Sequence, residues 1–154
     1  MIPGEVNTRA PIQIVVVSAG SNRDAVISAM SRWSIEPISC PGVNDARHLL
    51  RRAGPSLVFC EEELSDGTYR DLLRDLARVR RTQLVVISGN SDLDQVYREA
   101  TALGAFDTIA SPCRPADVQW VVIRALQQAQ RRARNKRRRE PSRFGSPGPV
   151  APVL

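Results

Sequence analysis

The sequence holds no apolar run of about 18 residues, the length that a membrane-spanning helix needs. Its beginning, Met1 to Pro11, is polar and lacks an apolar segment of signal-peptide type. Both absences point to the cytoplasm. Cysteine is scarce. Cys40, Cys60 and Cys113 are odd in number and widely spaced, which excludes a disulfide framework and a zinc pattern. They read as small buried hydrophobes in a reducing compartment. The chain has no G-x-G-x-x-G, no P-loop and no nucleophile elbow. The single histidine, His48, has no acid or nucleophile placed beside it as a partner, so it reads as a surface or helix-end residue. No enzyme is expected.

Hydrophobic residues make up 42% of the 154, enough for one domain with a packed core rather than a disordered chain. The net charge of +6 is unevenly placed. From Arg131 onward seven Arg and one Lys face Glu140 alone. Before that point 14 Arg face 15 acids, so the body of the chain is nearly neutral and its end carries the basicity.

Ile12 to Val17 is β-branched and almost continuously apolar, the pattern of a strand buried on both faces of a parallel sheet. Ile35 to Cys40, Leu57 to Cys60, Leu84 to Ile87 and Thr108 to Ala110 are four further strand candidates. Between them run helical stripes: Ala25, Val26, Ala29, Met30 and Trp33; Ala46, Leu49, Leu50 and Ala53; Tyr69, Leu72, Leu73, Leu76 and Ala77; Val96, Ala100 and Leu103. Asn44 and Ser91 are the expected caps of the second and fourth helices, and Gly104 the stop of the fourth. A last stripe, Val118, Val121, Val122, Ala125, Leu126 and Ala129, follows Pro115. Five alternations of strand and helix predict right-handed crossovers and a three-layer α/β sandwich. The expected division is a loose leader over 1–10, a domain over 11–130, and a basic, Pro/Gly-rich tail over 131–154, helical and fraying at first and then disordered.

Ligands of open parallel sheets bind beyond the carboxyl ends of the strands. Here those ends carry Ser18-Ala19, Glu61-Glu62-Glu63, Ser88-Gly89 and Ser111-Pro112. Leu57 to Gly67 resembles the segment around the phosphorylated aspartate of bacterial response-regulator receiver domains. Val85 to Gly89 is similar to their strand ending in a switch Ser or Thr, and Leu103 to Pro112 to their stretch from Gly-Ala to Lys-Pro. The resemblance covers Pro11 to Ala129. It implies a flavodoxin-like fold, a doubly wound five-stranded parallel sheet in the order 2-1-3-4-5, and a role in two-component signalling.

The departures from that family are many. Where it has paired Mg²⁺-binding acids, this chain has Ser18 and Ala19. Glu61 stands for the phosphoacceptor, Ser111 for the Lys and Thr108 for the aromatic switch residue; only Ser88 matches. One carboxylate is a thin Mg²⁺ site, and phosphoryl transfer without metal and cation lacks its charge neutralisation. The chain therefore reads as a degenerate receiver, a pseudo-receiver, with weak or absent Mg²⁺ binding and no cofactor. Glu61 is one methylene longer than aspartate, so its carboxylate is expected where the phosphoryl group would be, within reach of Ser88. The bland alternative is a solvated acidic loop. Pro112 is expected after a cis bond, as the family's proline commonly is.

Trp120 and Ile123 fall off the core stripe of the last helix, which suggests a partner or dimer surface, with Tyr97 of the fourth helix as its extension. Packing of Trp120 on the chain's own leader or tail is the alternative. Arg131, Arg132, Arg134, Lys136, Arg137, Arg138 and Arg139 carry no interleaved aromatic residue and one apolar one, Ala133. That composition argues against a membrane and against base stacking, and leaves phosphate-backbone contact with nucleic acid or a solubilising tail.

Overall fold

The side chains of Ile14, Val15, Val16, Val17, Leu57, Val58, Phe59 and Cys60 are all completely buried, as uninterrupted apolar strands require. The computed structural model describes residues 12–52, 54–78 and 81–139. The expected leader and the end of the expected tail lie outside them. The elements are β1 (Ile12–Val17), α1 (Ser21–Ala29), β2 (Ile35–Cys40), α2 (Val43–Arg52), β3 (Leu57–Glu61), β4 (Glu63–Leu64), β5 (Gly67–Thr68), α3 (Tyr69–Leu76), β6 (Gln83–Ser88), α4 (Leu93–Ala102), β7 (Asp107–Ala110) and α5 (Pro115–Arg139). Five strands form one parallel sheet in the order β2-β1-β3-β6-β7, which is 2-1-3-4-5 in the count of its own strands. The short antiparallel pair β4-β5 was not anticipated.

Alternation along each strand divides the core in two. Val15, Val17, Val58, Cys60, Leu84 and Val86 face the layer of α2, α3 and α4. Ile14, Val16, Leu57, Phe59, Val85 and Ile87 face α1 and α5. Each such side chain contributes about 1.5–3 kcal/mol relative to exposure. The outer strand β2 is half-exposed and tolerates Pro37, which has no N–H for a central ladder. All three cysteines are buried free thiols. Burial pushes Cys113 up to about 11, with the Glu61 carboxylate adding to the effect, and raises Cys40 and Cys60 as well.

Several local expectations are corrected. Asn44 is not the cap of α2. The cap comes from another loop: the Asp66 carboxylate, in the β4-β5 turn, accepts from Val43 N at 2.8 Å and Asn44 N at 3.0 Å. The approach is close enough that a Cβ on Gly42 would stand 2.8 Å from both Asp66 oxygens. Asp92, not Ser91, caps α4 by accepting from Gln95 N at 3.2 Å. Trp33 lies past the end of α1 and is exposed. The basic run is helical, as α5 continues to Arg139. Arg, Lys, Gln and Ala all favour helix, and cations suit a helix C-terminus, so the helix outlasts its apolar stripe.

Asp66 offers a pH test. Backbone N–H groups of Asn44 and then Val43 hold its carboxyl below the ordinary value of 3.8. A carboxyl depressed in the folded state stabilises fully above its unfolded value, and that stabilisation disappears as pH falls through the folded one. Asp66→Ala is therefore expected to melt earlier than wild type near neutrality, with the two curves converging below about pH 4. Thermal melts from neutral pH down to about pH 3 check this; a gap that stays constant across the range sinks it.

Candidate functional site

The carboxyl ends of β1, β3, β6 and β7 bring Ser18, Glu61, Glu62, Ser88 and Ser111 to one end of the sheet. The ladders of β1, β3 and β7 run on by one residue past the strand ends. Ser18 N donates to Cys40 O at 3.0 Å, Glu62 N to Ile87 O at 2.8 Å, and Ser111 N to Ser88 O at 2.9 Å. Because the ladder persists, so does the alternation of faces, and it sorts these polar side chains into two groups.

On the α1 and α5 side, the Ser18 hydroxyl donates to Glu61 Oε2. Asn22, at 6% exposure, donates from Nδ2 to Ser111 Oγ at 2.9 Å and accepts from Cys113 N at 3.1 Å. Asn22 thus ties the start of α1 to the loop before α5. Sequence reasoning missed it; its one available signal was an amide at the first turn of a helix that follows a strand end. On the α3 and α4 side, the Ser88 hydroxyl donates to Glu62 Oε1 at 2.7 Å and accepts from Asn90 N at 3.0 Å. Thr108 shares this side of the sheet by alternation. It is 9% exposed, and its hydroxyl has no hydrogen-bond partner among the described residues.

The expected contact between Glu61 and Ser88 is therefore corrected. Glu61 shares a face with Ser18, and its neighbour Glu62 shares the opposite face with Ser88. Hydrogen bonds to a charged group contribute about 1.5–3 kcal/mol each, so both carboxylates are held by their own hydroxyls. Ala19 is exposed and makes no polar side-chain contact. Ser111-Pro112 is a cis peptide bond.

The donor set does not fit an Mg²⁺ ion. Beside the Glu61 and Glu62 carboxylates it offers only serine hydroxyls and an amide, and both carboxylates already accept from serines. Among the described residues no group of three or more His, Cys, Asp or Glu is placed to hold a metal.

Solved structures similar to this chain include response-regulator receiver domains. A signal receiver domain from Vibrio parahaemolyticus is 17% identical, with a TM-score of 0.72 over 81% of this chain and 96% of that one. A response regulator from Thermotoga maritima is 23% identical, with a TM-score of 0.67 over 76% and 98%. This chain has the receiver fold. NtrX from Brucella abortus, solved in complex with ADP, is 25% identical with a TM-score of 0.74, and the match covers 84% of this chain but 29% of that one. No protein-family model matches the sequence, and no curated protein matches it either.

Elsewhere on this receiver fold, Trp120 and Ile123 are 64% and 39% exposed on the outer face of α5. Tyr97 is exposed too, but α4 belongs to the opposite layer, with the edge strand β7 between the two helices. The side chains of residues 131–138 are exposed. His48 is exposed on α2. Among the described residues no helix is long and apolar enough to cross a membrane. A groove of about 740 Å³ opens at the other end of the sheet, between Leu76, Leu103, Phe106 and Gln128, far from the paired hydroxyls and carboxylates.

Proposed function

We propose that the chain is a pseudo-receiver, a receiver-type signalling module that regulates through protein contacts without being phosphorylated. The observation that carries this reading is the Ser88–Glu62 hydrogen bond of 2.7 Å. The hydroxyl at the family's switch position already holds a carboxylate of the chain itself. That carboxylate carries about one negative charge, against the ~1.5–2 of a phosphoryl group, and so imitates the phosphorylated state in sign and place. Ser18, engaged by Glu61, and Ser111, engaged by Asn22, stand where metal ligands and a cation would otherwise be. The protein partner sits on the outer face of α5 around Trp120 and Ile123.

Acetyl phosphate with Mg²⁺ is expected to leave the intact mass unchanged, since Ser18, Ala19 and Ser111 supply neither the paired acids that would hold a metal nor a cation to neutralise the transferring group. A stable gain of one phosphoryl group would overturn the proposal in favour of a conventional phosphorylated receiver, the weaker alternative.

A second reading is a nucleic-acid-associated regulator, with the domain serving association and the basic end serving phosphate binding. The continuation of α5 to Arg139 favours it, because the cations are then displayed on a rigid rod.

A further inference from the structure

The last turns of α5 differ from an ordinary solvated helix face. Arg131, Arg132, Arg134, Lys136, Arg137, Arg138 and Arg139 crowd into nine helical residues. With Arg131 and Arg134, Arg134 and Arg137, and Arg134 and Arg138 three or four apart, like charges stand next to each other on the rod. Each such pair destabilises an isolated helix, so a polyanion that neutralises them stabilises the helix as it binds.

The angular placement identifies the polyanion. At about 100° per residue, Lys136, Arg137 and Arg131 point in three directions spread around the whole circumference. An anionic membrane surface selects cations on one side and apolar residues on the other. This segment has no large apolar side chain, only Ala133 and the polar Asn135 between its cations. A flat or single-stranded polyanion likewise meets one side of a rod. The major groove of B-form DNA is about 12 Å wide, admits an α-helix, and has phosphates along both walls. Nine helical residues make about 13 Å of rod, a length that crosses such a groove.

We infer that residues 131–139 form a preformed helix that inserts into the major groove of duplex DNA and binds phosphates on both walls. The inference rests on the nucleic-acid reading above and narrows it to one ligand and one mode. Asn135, whose amide can pair with a base edge, and Ala133 are the non-cationic side chains of the insert.

The test is fluorescence anisotropy of the full 154-residue chain with a labelled DNA duplex of about 20 base pairs, the RNA duplex of the same sequence, and one DNA strand alone. The deep, narrow major groove of A-form RNA does not admit a helix. The DNA duplex is expected to bind at least about tenfold more tightly than the other two. With about five phosphates neutralised, the slope of log K against log salt is about −4.5, or several hundredfold in affinity between about 50 and 200 mM salt. Asn135→Pro keeps every cation and breaks the helix locally. It is expected to erase the preference for the DNA duplex, with the domain's melting temperature unchanged because these side chains lie outside the core. Equal binding of all three probes, or a duplex preference that survives Asn135→Pro, overturns groove insertion while leaving general nucleic-acid binding intact. No binding of any probe at low salt overturns both.

Discussion

Phe59→Ala is expected to destabilise the domain by about 3–5 kcal/mol, the cost of truncating a fully enclosed aromatic ring. Phe59 lies in the middle of β3, at 0% exposure, in the cluster formed with α1 and α5. Its neighbours Val16 and Val85 stand in register on the two adjoining strands, and Val26, Val121 and Val122 belong to the cluster from the helices above. These side chains are held on rigid elements, so the cavity closes only in part and the cost is at the upper end for a core truncation. A domain of this size is stable by about 5–15 kcal/mol in total, so the variant retains only a fraction of it. Urea denaturation checks the figure: the midpoint falls while the slope, set by the surface exposed on unfolding, stays the same. A loss under about 1 kcal/mol would mean that this half of the core is not closely packed. The consequence reaches the site, since Phe59 is two residues from Glu61 and on the same face of β3.

What was legible in the sequence is what rests on periodicity. The runs Ile12 to Val17, Leu57 to Cys60 and Leu84 to Ile87 could only be strands covered on both faces, and the helical stripes between them fix the three layers. The expected flavodoxin-like sheet order is the one observed. What failed depends on partners distant in sequence. Asn44 is a good local cap, but a carboxylate some 20 residues away, Asp66, takes the α2 N–H groups. The helix through the basic run was legible too, because Arg, Lys and Ala propagate a helix without burying anything. The pairing of Glu61 with Ser88 was misjudged for a reason that was available. Parity along β3 puts Glu61 with Phe59 on one face and Glu62 with Cys60 on the other, and parity along β6 puts Ser88 with Val86 on that second face. The position of Asn22 in the first turn of α1 was too weak a signal to reveal its partners Ser111 and Cys113, which lie about 90 residues away.

The same angular reasoning supports the expected result at Trp120. Taking the mean direction of Val118, Val121, Val122 and Ala125 as the buried side of α5, Trp120 points nearly opposite to it, and its 64% exposure agrees. Ile123 lies beside it toward α1, where the Gln119 amide donates to Ala29 O at 3.0 Å. On the other flank Arg124 pairs with Asp107 of β7 and lies over the Phe106 ring at 5.7 Å. The indole is therefore held on a helix fastened on both flanks, presented to solvent with little freedom to fold back. Aromatic side chains in that position are the anchors that dominate interfaces, and truncating one costs about 2 kcal/mol or more of binding, a thirtyfold loss of affinity. Trp120→Ala is expected to lose association by at least about that factor in sedimentation of the chain alone or in pull-down of its partner. The monomer's melting temperature should barely change, because little of the ring is buried on folding. If the variant instead unfolds early and associates normally, Trp120 packs against its own chain, and the contact surface lies elsewhere than on α5.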